Sequence, residues 1–334
     1  MNSLERIQSA VAFEKPDRVP VIAQVFGHAA TFGGVALGDY LRDGELLARC
    51  QLKALKHYGY DAVFALMDVN VETEAAGSSI EYLSDMYPHV KTHAVSATTD
   101  LKSLSIPDPK RDGRMPEILK AASILRKELG DEVLVVGCVL GPTSLVNQLY
   151  GPEPALFLSV DEPKAYSTLL DYATEISIAF GVAQIQAGAH LPVVFDPAAS
   201  PSVVPPRFYR EFILPRHKKL FSALKQAGAT ANWLHIAGCA APILENCPLA
   251  GVDIANFDFC VSPAEAQSRL PKTCLDGNVK PLLFVDGQPD EVAEESAILL
   301  ESFRERGGFI LSSGCEIPPE AKPENVKAMV DAAR

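Results

Sequence analysis

The chain has 334 residues, 48% of them apolar, with a formal net charge of −12 and a pI near 5.1. Its longest basic run is Arg216-His217-Lys218-Lys219, too little for the cationic face that a phosphate backbone requires, so no nucleic-acid partner is expected. No apolar run approaches the ~18 residues needed to span a bilayer. The opening MNSLERIQSAVAFEKPDR lacks an apolar signal core and a small-residue cleavage site, so a cytoplasmic protein with no membrane partner is expected.

Taken in chain order, short β-rich runs recur at 19–25 (VPVIAQV), 62–66 (AVFAL), 133–139 (VLVVGCV), 192–195 (PVVF), 231–236 (ANWLHI), 252–257 (VDIANF), 273–279 (TCLDGNV) and 309–312 (FILS). Several are apolar throughout, as strands covered on both faces must be. Between them lie stretches with helical spacing at 45–58, 116–129, 163–187, 206–227, 263–270, 289–306 and 323–333. In the first of these Leu47, Cys50, Ala54 and Leu55 form an inner stripe. Several helices open on or just after a proline, which suits a first helical turn. An excursion at 67–130 is read as carrying a short hairpin near 80–95. Eight strands alternating with helices predict an α/β fold, a (β/α)8 TIM barrel, and without a flexible linker or repeat it reads as a single domain over 1–334.

A barrel of this kind opens its pocket at the C-terminal ends of its strands. The polar residues there are Gln24 and His28, Asp68, Cys138 with Gly141-Pro142-Thr143, Asp196, His235 and Cys239, Asp258 and Cys260, Asn278, and Cys315 with Glu316. His235 and Cys315 are candidates for a zinc site with an open position, completed by further thiols. Zinc lowers the pKa of a bound thiol, a chemistry suited to alkyl transfer. Each residue also has a plainer role: a strand-end histidine held by hydrogen bonds, Asp196 as a helix cap, Cys50, Cys138 and Cys247 as packing.

Several segments resemble the uroporphyrinogen decarboxylase-like superfamily along nearly the whole chain. They are LERIQSAVAFEKPDRVPV at 4–21, Asp68 with Glu74-Ala75-Ala76-Gly77, and Gly141-Pro142-Thr143 with Tyr150-Gly151. Decarboxylases of this superfamily carry an Arg-rich segment after the first strand. Here that segment is AQVFGHAATFGG at 23–34, with no arginine, leaving no clamp for a polycarboxylate. The C-terminal FILSSGCEIPPEAKPENVKAMVDA at 309–332 and DPAASPSVVPPRFYREFILPRHKKL at 196–220 resemble the methylcobamide:thiol methyltransferases, the MtaA/CmuA group.

That resemblance implies methyl transfer between a small methylated donor or thiol acceptor and a corrinoid (cobalamin) carried by a separate partner protein. It also implies zinc held by a His-x-Cys pair and a later Cys. His235 and Cys315 match, but Ala237 replaces the second ligand. Either Cys239 or Cys260 completes the set, or zinc has been lost. Asp68 and Asp196 are expected to position substrate or handle a proton, and Gln24, His28, Asn278 and Glu316 to contact substrate. Two other classes stay open: a lyase acting on a small carboxylate, and a non-catalytic homologue that binds the corrinoid protein.

Overall fold

The computed structural model describes residues 1–334. Its strands are β1 (Val21–Ile22), β2 (Ala62–Phe64), β3 (Ser79–Glu81), β4 (His89–Thr92), β5 (Leu134–Leu140), β6 (Leu191–Phe195), β7 (Trp233–His235), β8 (Ile254–Asn256), β9 (Cys274–Val279) and β10 (Phe309–Ser313). Eight of them form one parallel sheet in the order β1-β10-β9-β8-β7-β6-β5-β2, each at a predicted position. β3 and β4 pair antiparallel, which is the hairpin expected in the 67–130 excursion. β5 is buried at all seven positions, because barrel side chains cover one face and helices the other.

The sheet becomes a barrel where its two end strands meet. Asp61, immediately before β2, donates its backbone N–H to the Val21 carbonyl at 2.7 Å. Its carboxylate accepts the Val21 N–H at 2.8 Å in return. The same fully buried carboxylate takes Ser3 Oγ at 2.7 Å, Arg6 Nη1 at 2.7 Å, and Arg18 Nη1 and Nη2 at 2.8 and 2.9 Å. Arg6 in turn grips Asp17 through Nε and Nη2 at 2.7 and 2.9 Å. The Lys-Pro-Asp-Arg turn at 15–18 therefore ties the N-terminal helix Ser3–Val11 to the seam.

Most helices keep their expected bounds, such as Gly44–Tyr58 and Pro163–Ala187. Within Gly44–Tyr58, Leu47, Cys50 and Ala54 are buried and Leu55 is half-buried. The helix expected over 206–227 is broken. Pro206–Phe208 leads into a wide turn at Tyr209–Ile213, and a regular helix resumes at Leu214–Gln226. Pro215 is the cause: it has no N–H to return to the preceding turn, so the ladder slips to a wider spacing.

Inside the barrel, Asp276 of β9 is fully buried and accepts Asn256 Nδ2 at 2.9 Å. Burial pushes its carboxyl up to about 7, because a low-dielectric interior disfavours the charged form. A raised carboxyl favours folding fully below its unfolded pKa, and that contribution fades as pH climbs toward about 7.

Two stability predictions follow from these buried carboxylates. Asp61→Ala strands two arginines at the seam and should lose roughly 3 kcal/mol or more in urea unfolding; a loss under roughly 1 kcal/mol would show that the seam does not depend on it. Asp276→Asn should gain stability over the parent at pH 8, with the gap shrinking as pH falls toward 4. A pH-independent gap would contradict the raised carboxyl.

Candidate functional site

A cavity of about 230 Å³ opens at the C-terminal ends of the strands. Its apolar wall is Phe26, Leu66, Met67, Val69, Phe195, Pro197 and Ala237, and its polar groups are Asp68, Tyr87, His235, Cys315 and Glu316.

His235 closes β7 and is 1% exposed, yet neither ring nitrogen has a hydrogen-bond partner. Its ring packs against Phe195 with centroids 4.6 Å apart. Burial pushes its pKa down to about 3, so the imidazole is neutral near pH 7. An unpartnered, buried, neutral imidazole facing a cavity is poised for a ligand.

Cys315 follows β10 through Gly314, whose N–H donates to Val279 O at 2.8 Å. A side chain at Gly314 would come within 2.7 Å of Asp258 Oδ1, so only glycine lets the chain pass. Burial pushes the Cys315 thiol up to about 11, opposed by the Glu316 backbone N–H and aided by the Asp258 and Glu316 carboxylates. With carboxylates as its charged neighbours, the sulfur stays protonated at neutral pH.

Glu316 accepts a short hydrogen bond from Tyr87 Oη and a longer one, 3.3 Å, from the Gly27 N–H. Gly27 also donates to Tyr87 Oη at 2.9 Å. A Cβ on Gly27 would lie 2.5 Å from that oxygen, so this glycine keeps the triangle closed. Burial pushes the Glu316 carboxyl up to about 7.

Asp68 reaches the cavity wall, but its oxygens are taken. Arg114 donates to it through Nη1 and Nη2 at 2.5 and 3.2 Å, and the Asn70 N–H adds a contact at 2.7 Å. Arg114 also binds Glu74 at 2.6 Å, which accounts for the Glu-Ala-Ala-Gly segment after Asp68. These contacts fix Asp68 at the cavity wall between Arg114 and the Asn70 N–H.

Asp196 is not in the cavity lining. It is fully buried and accepts the Ser144 N–H and Oγ at 2.7 and 2.8 Å, the Thr143 N–H at 3.3 Å and His217 Nε2 at 2.9 Å. It therefore satisfies the open amides at the start of the helix Pro142–Tyr150. A Cβ on Gly141 would lie 2.3 Å from Asp196 Cβ, which explains the glycine of that Gly-Pro-Thr turn.

Three residues expected to contact substrate lie outside the cavity lining. Gln24 Nε2 binds Ser313 O at 2.9 Å; His28 lies between Tyr58 Oη at 2.8 Å and Pro319 O at 3.3 Å; Asn278 Nδ2 binds Val261 O at 2.9 Å. Of the four expected, Glu316 alone lines the cavity. The expected metal donors divide likewise. His235 and Cys315 share the cavity, whereas Cys239 and Cys260 are exposed and outside its lining. No group of three or more His, Cys, Asp or Glu side chains is arranged to hold a metal ion. Tyr87, one of two tyrosines in the turn between β3 and β4, carried no signal in the sequence.

No helix is long and apolar enough to cross a membrane. Among solved structures, a methyltransferase from Methanosarcina mazei superposes with a TM-score of 0.91 at 28% identity, covering 100% of this chain and 98% of that one. A B12-independent methionine synthase from Shewanella, at a TM-score of 0.58 and 14% identity, shares the fold. A methylcobamide:CoM methyltransferase, MtbA, of Methanosarcina acetivorans is 28% identical over 338 residues, 99% of this chain and 97% of the relative. A uroporphyrinogen decarboxylase of Syntrophotalea carbinolica is 29% identical over 296 residues, covering 86% and 83%. The family model for uroporphyrinogen decarboxylase (URO-D) matches residues 2–334, and this chain belongs to that family.

Proposed function

We propose that the protein is a cobalamin-dependent methyltransferase, moving a methyl group between a small substrate in this cavity and a corrinoid brought by a partner protein. The observation that carries this reading is the pairing of His235, with both ring nitrogens free, and Cys315 in one cavity. Its support from relatives is the full-length similarity to methylcobamide:CoM methyltransferases. A decarboxylase would need a cation for its substrate's carboxylate. The cavity lining has none: Arg114 is spent on Asp68 and Glu74.

The corrinoid supplies a cobalt that can carry and release methyl. This chain's residues set the conditions around it. Phe26, Phe195, Met67 and Leu66 exclude water and give a methyl group an apolar seat. Glu316, fixed by Tyr87 and Gly27, holds a proton beside the reacting sulfur or oxygen. His235 supplies a neutral acceptor, and Cys315 lines the same space. A setting in the reducing cytosol suits seven free thiols.

Zinc meets two suitable donors here, the free imidazole of His235 and the thiol of Cys315. Ala237 lies on the same wall where a third is wanted, so the donor set is one short as folded.

Two measurements test this reading. Demethylation of methylcobalamin with a small thiol acceptor, followed by absorbance, should be catalysed by the parent protein. The rate should fall about 100-fold or more in His235→Ala and Cys315→Ala with unchanged circular dichroism; no turnover in the parent, or full rates in both variants, would sink it. Zinc content should stay well below one per chain after purification and be indifferent to Cys239→Ala or Cys260→Ala. A full equivalent lost on replacing either would show that the thiol moves into the cavity.

A further inference from the structure

Of the seven thiols, Cys50, Cys138, Cys247 and Cys274 are buried, Cys315 is half-buried, and only Cys239 and Cys260 are exposed. The two exposed ones are not scattered. β7 and β8 are parallel neighbours, with Trp233 opposite Ile254 and Leu234 opposite Ala255. Cys239 and Cys260 each stand four residues beyond the end of their strand, on the exit loops of these neighbouring strands.

The two exit loops are also clamped together. Asp258 accepts the Gly238 N–H at 2.6 Å from one loop and the Phe259 N–H at 2.7 Å from its own. Gly238 takes φ +86°, a left-handed turn that suits glycine, and hands the chain directly to Cys239. The two thiols are neighbours across this clamp: the Cys260 thiol is raised by burial first and by the Cys239 sulfur next. Ala237, one residue before the turn, is part of the cavity wall.

We propose that Cys239 and Cys260 form a reversible disulfide, a redox modification site on the rim of the cavity and separate from the His235–Cys315 pair. A thiolate of one cysteine attacks a low-molecular-weight disulfide such as oxidised glutathione, forming a mixed disulfide and releasing one small thiol. The second cysteine then attacks that mixed bond and releases the other small thiol. Two protein thiols are oxidised, one small disulfide is reduced, and both protons leave with the small thiols. The bond joins the loop carrying Ala237 to the loop carrying Phe259. Exposed, transiently formed pairs of this kind are the ones that act as redox sensors in a reducing compartment.

The test uses the intact reduced protein and oxidised glutathione, with thiols counted by an aromatic disulfide reagent. The native protein should show two fast-reacting thiols. Both should vanish on oxidation without glutathione remaining on the protein, and return with dithiothreitol. Cys239→Ser and Cys260→Ser should each leave one glutathione adduct on the surviving cysteine. The proposal is overturned if the oxidised parent carries glutathione on both cysteines with no internal bond. It is equally overturned if zinc alone protects both thiols, which would make the pair a metal site. None of these readouts depends on methyl transfer, so the pair and the proposed activity stand or fall separately.

Discussion

The barrel rests on one carboxylate. Asp61 is the point where a linear order of eight strands becomes a closed ring, and it does so through both its backbone and its side chain. Burying a charge there is tolerable because two guanidinium groups, a hydroxyl and an amide surround it. The same contacts recruit the N-terminal helix, so the start of the chain closes the end of the sheet. Ring closure leaves no sheet edge to template pairing with another chain, and it fixes the spacing at which β7 and β10 deliver their terminal side chains.

At the opposite face the polar groups follow another logic. The buried carboxylates are held inside the wall or beneath it, Asp68 by Arg114 and Asp196 by hydrogen bonds from Thr143, Ser144 and His217. What faces the cavity is a neutral imidazole, a protonated thiol and a carboxyl raised toward neutrality. Such a space suits an uncharged methyl group and leaves little field to hold a polyanion. The structural carboxylates and the facing groups thus divide their work by burial and partner, although all stand near strand ends.

The eight barrel strands were legible because a parallel strand covered on both sides writes itself as an apolar run. His235 and Cys315 were legible because a histidine and a cysteine stand directly at strand ends in a fold that opens there. Asp196 was not: its partners Ser144 and His217 lie 52 and 21 residues away, and nothing local says which face it serves. Asp61 was passed over for the same reason, its arginines being 55 and 43 residues distant. Topology supplied what composition could not for Cys239 and Cys260. As isolated letters they looked like candidate ligands for His235, but the fold puts them on the exposed exit loops of adjacent strands, outside the cavity lining. The break near Pro215 was masked by amphipathic spacing that continues through it.

One wall of the cavity does not come from the barrel at all. Tyr87 sits in the turn between β3 and β4, a hairpin whose strands are largely exposed, and reaches the site through Glu316 and Gly27. Residues 82–88 pair with no barrel strand; they meet the body through side chains, Tyr82 on Glu74 and Tyr87 on Glu316, and through the Pro88 carbonyl on Asn70. Folding is written in the ring, while the shape of the opening is written partly in this appendage. Related chains could thus share the whole scaffold and still admit different molecules, with selectivity drifting in a segment that lies outside the barrel sheet.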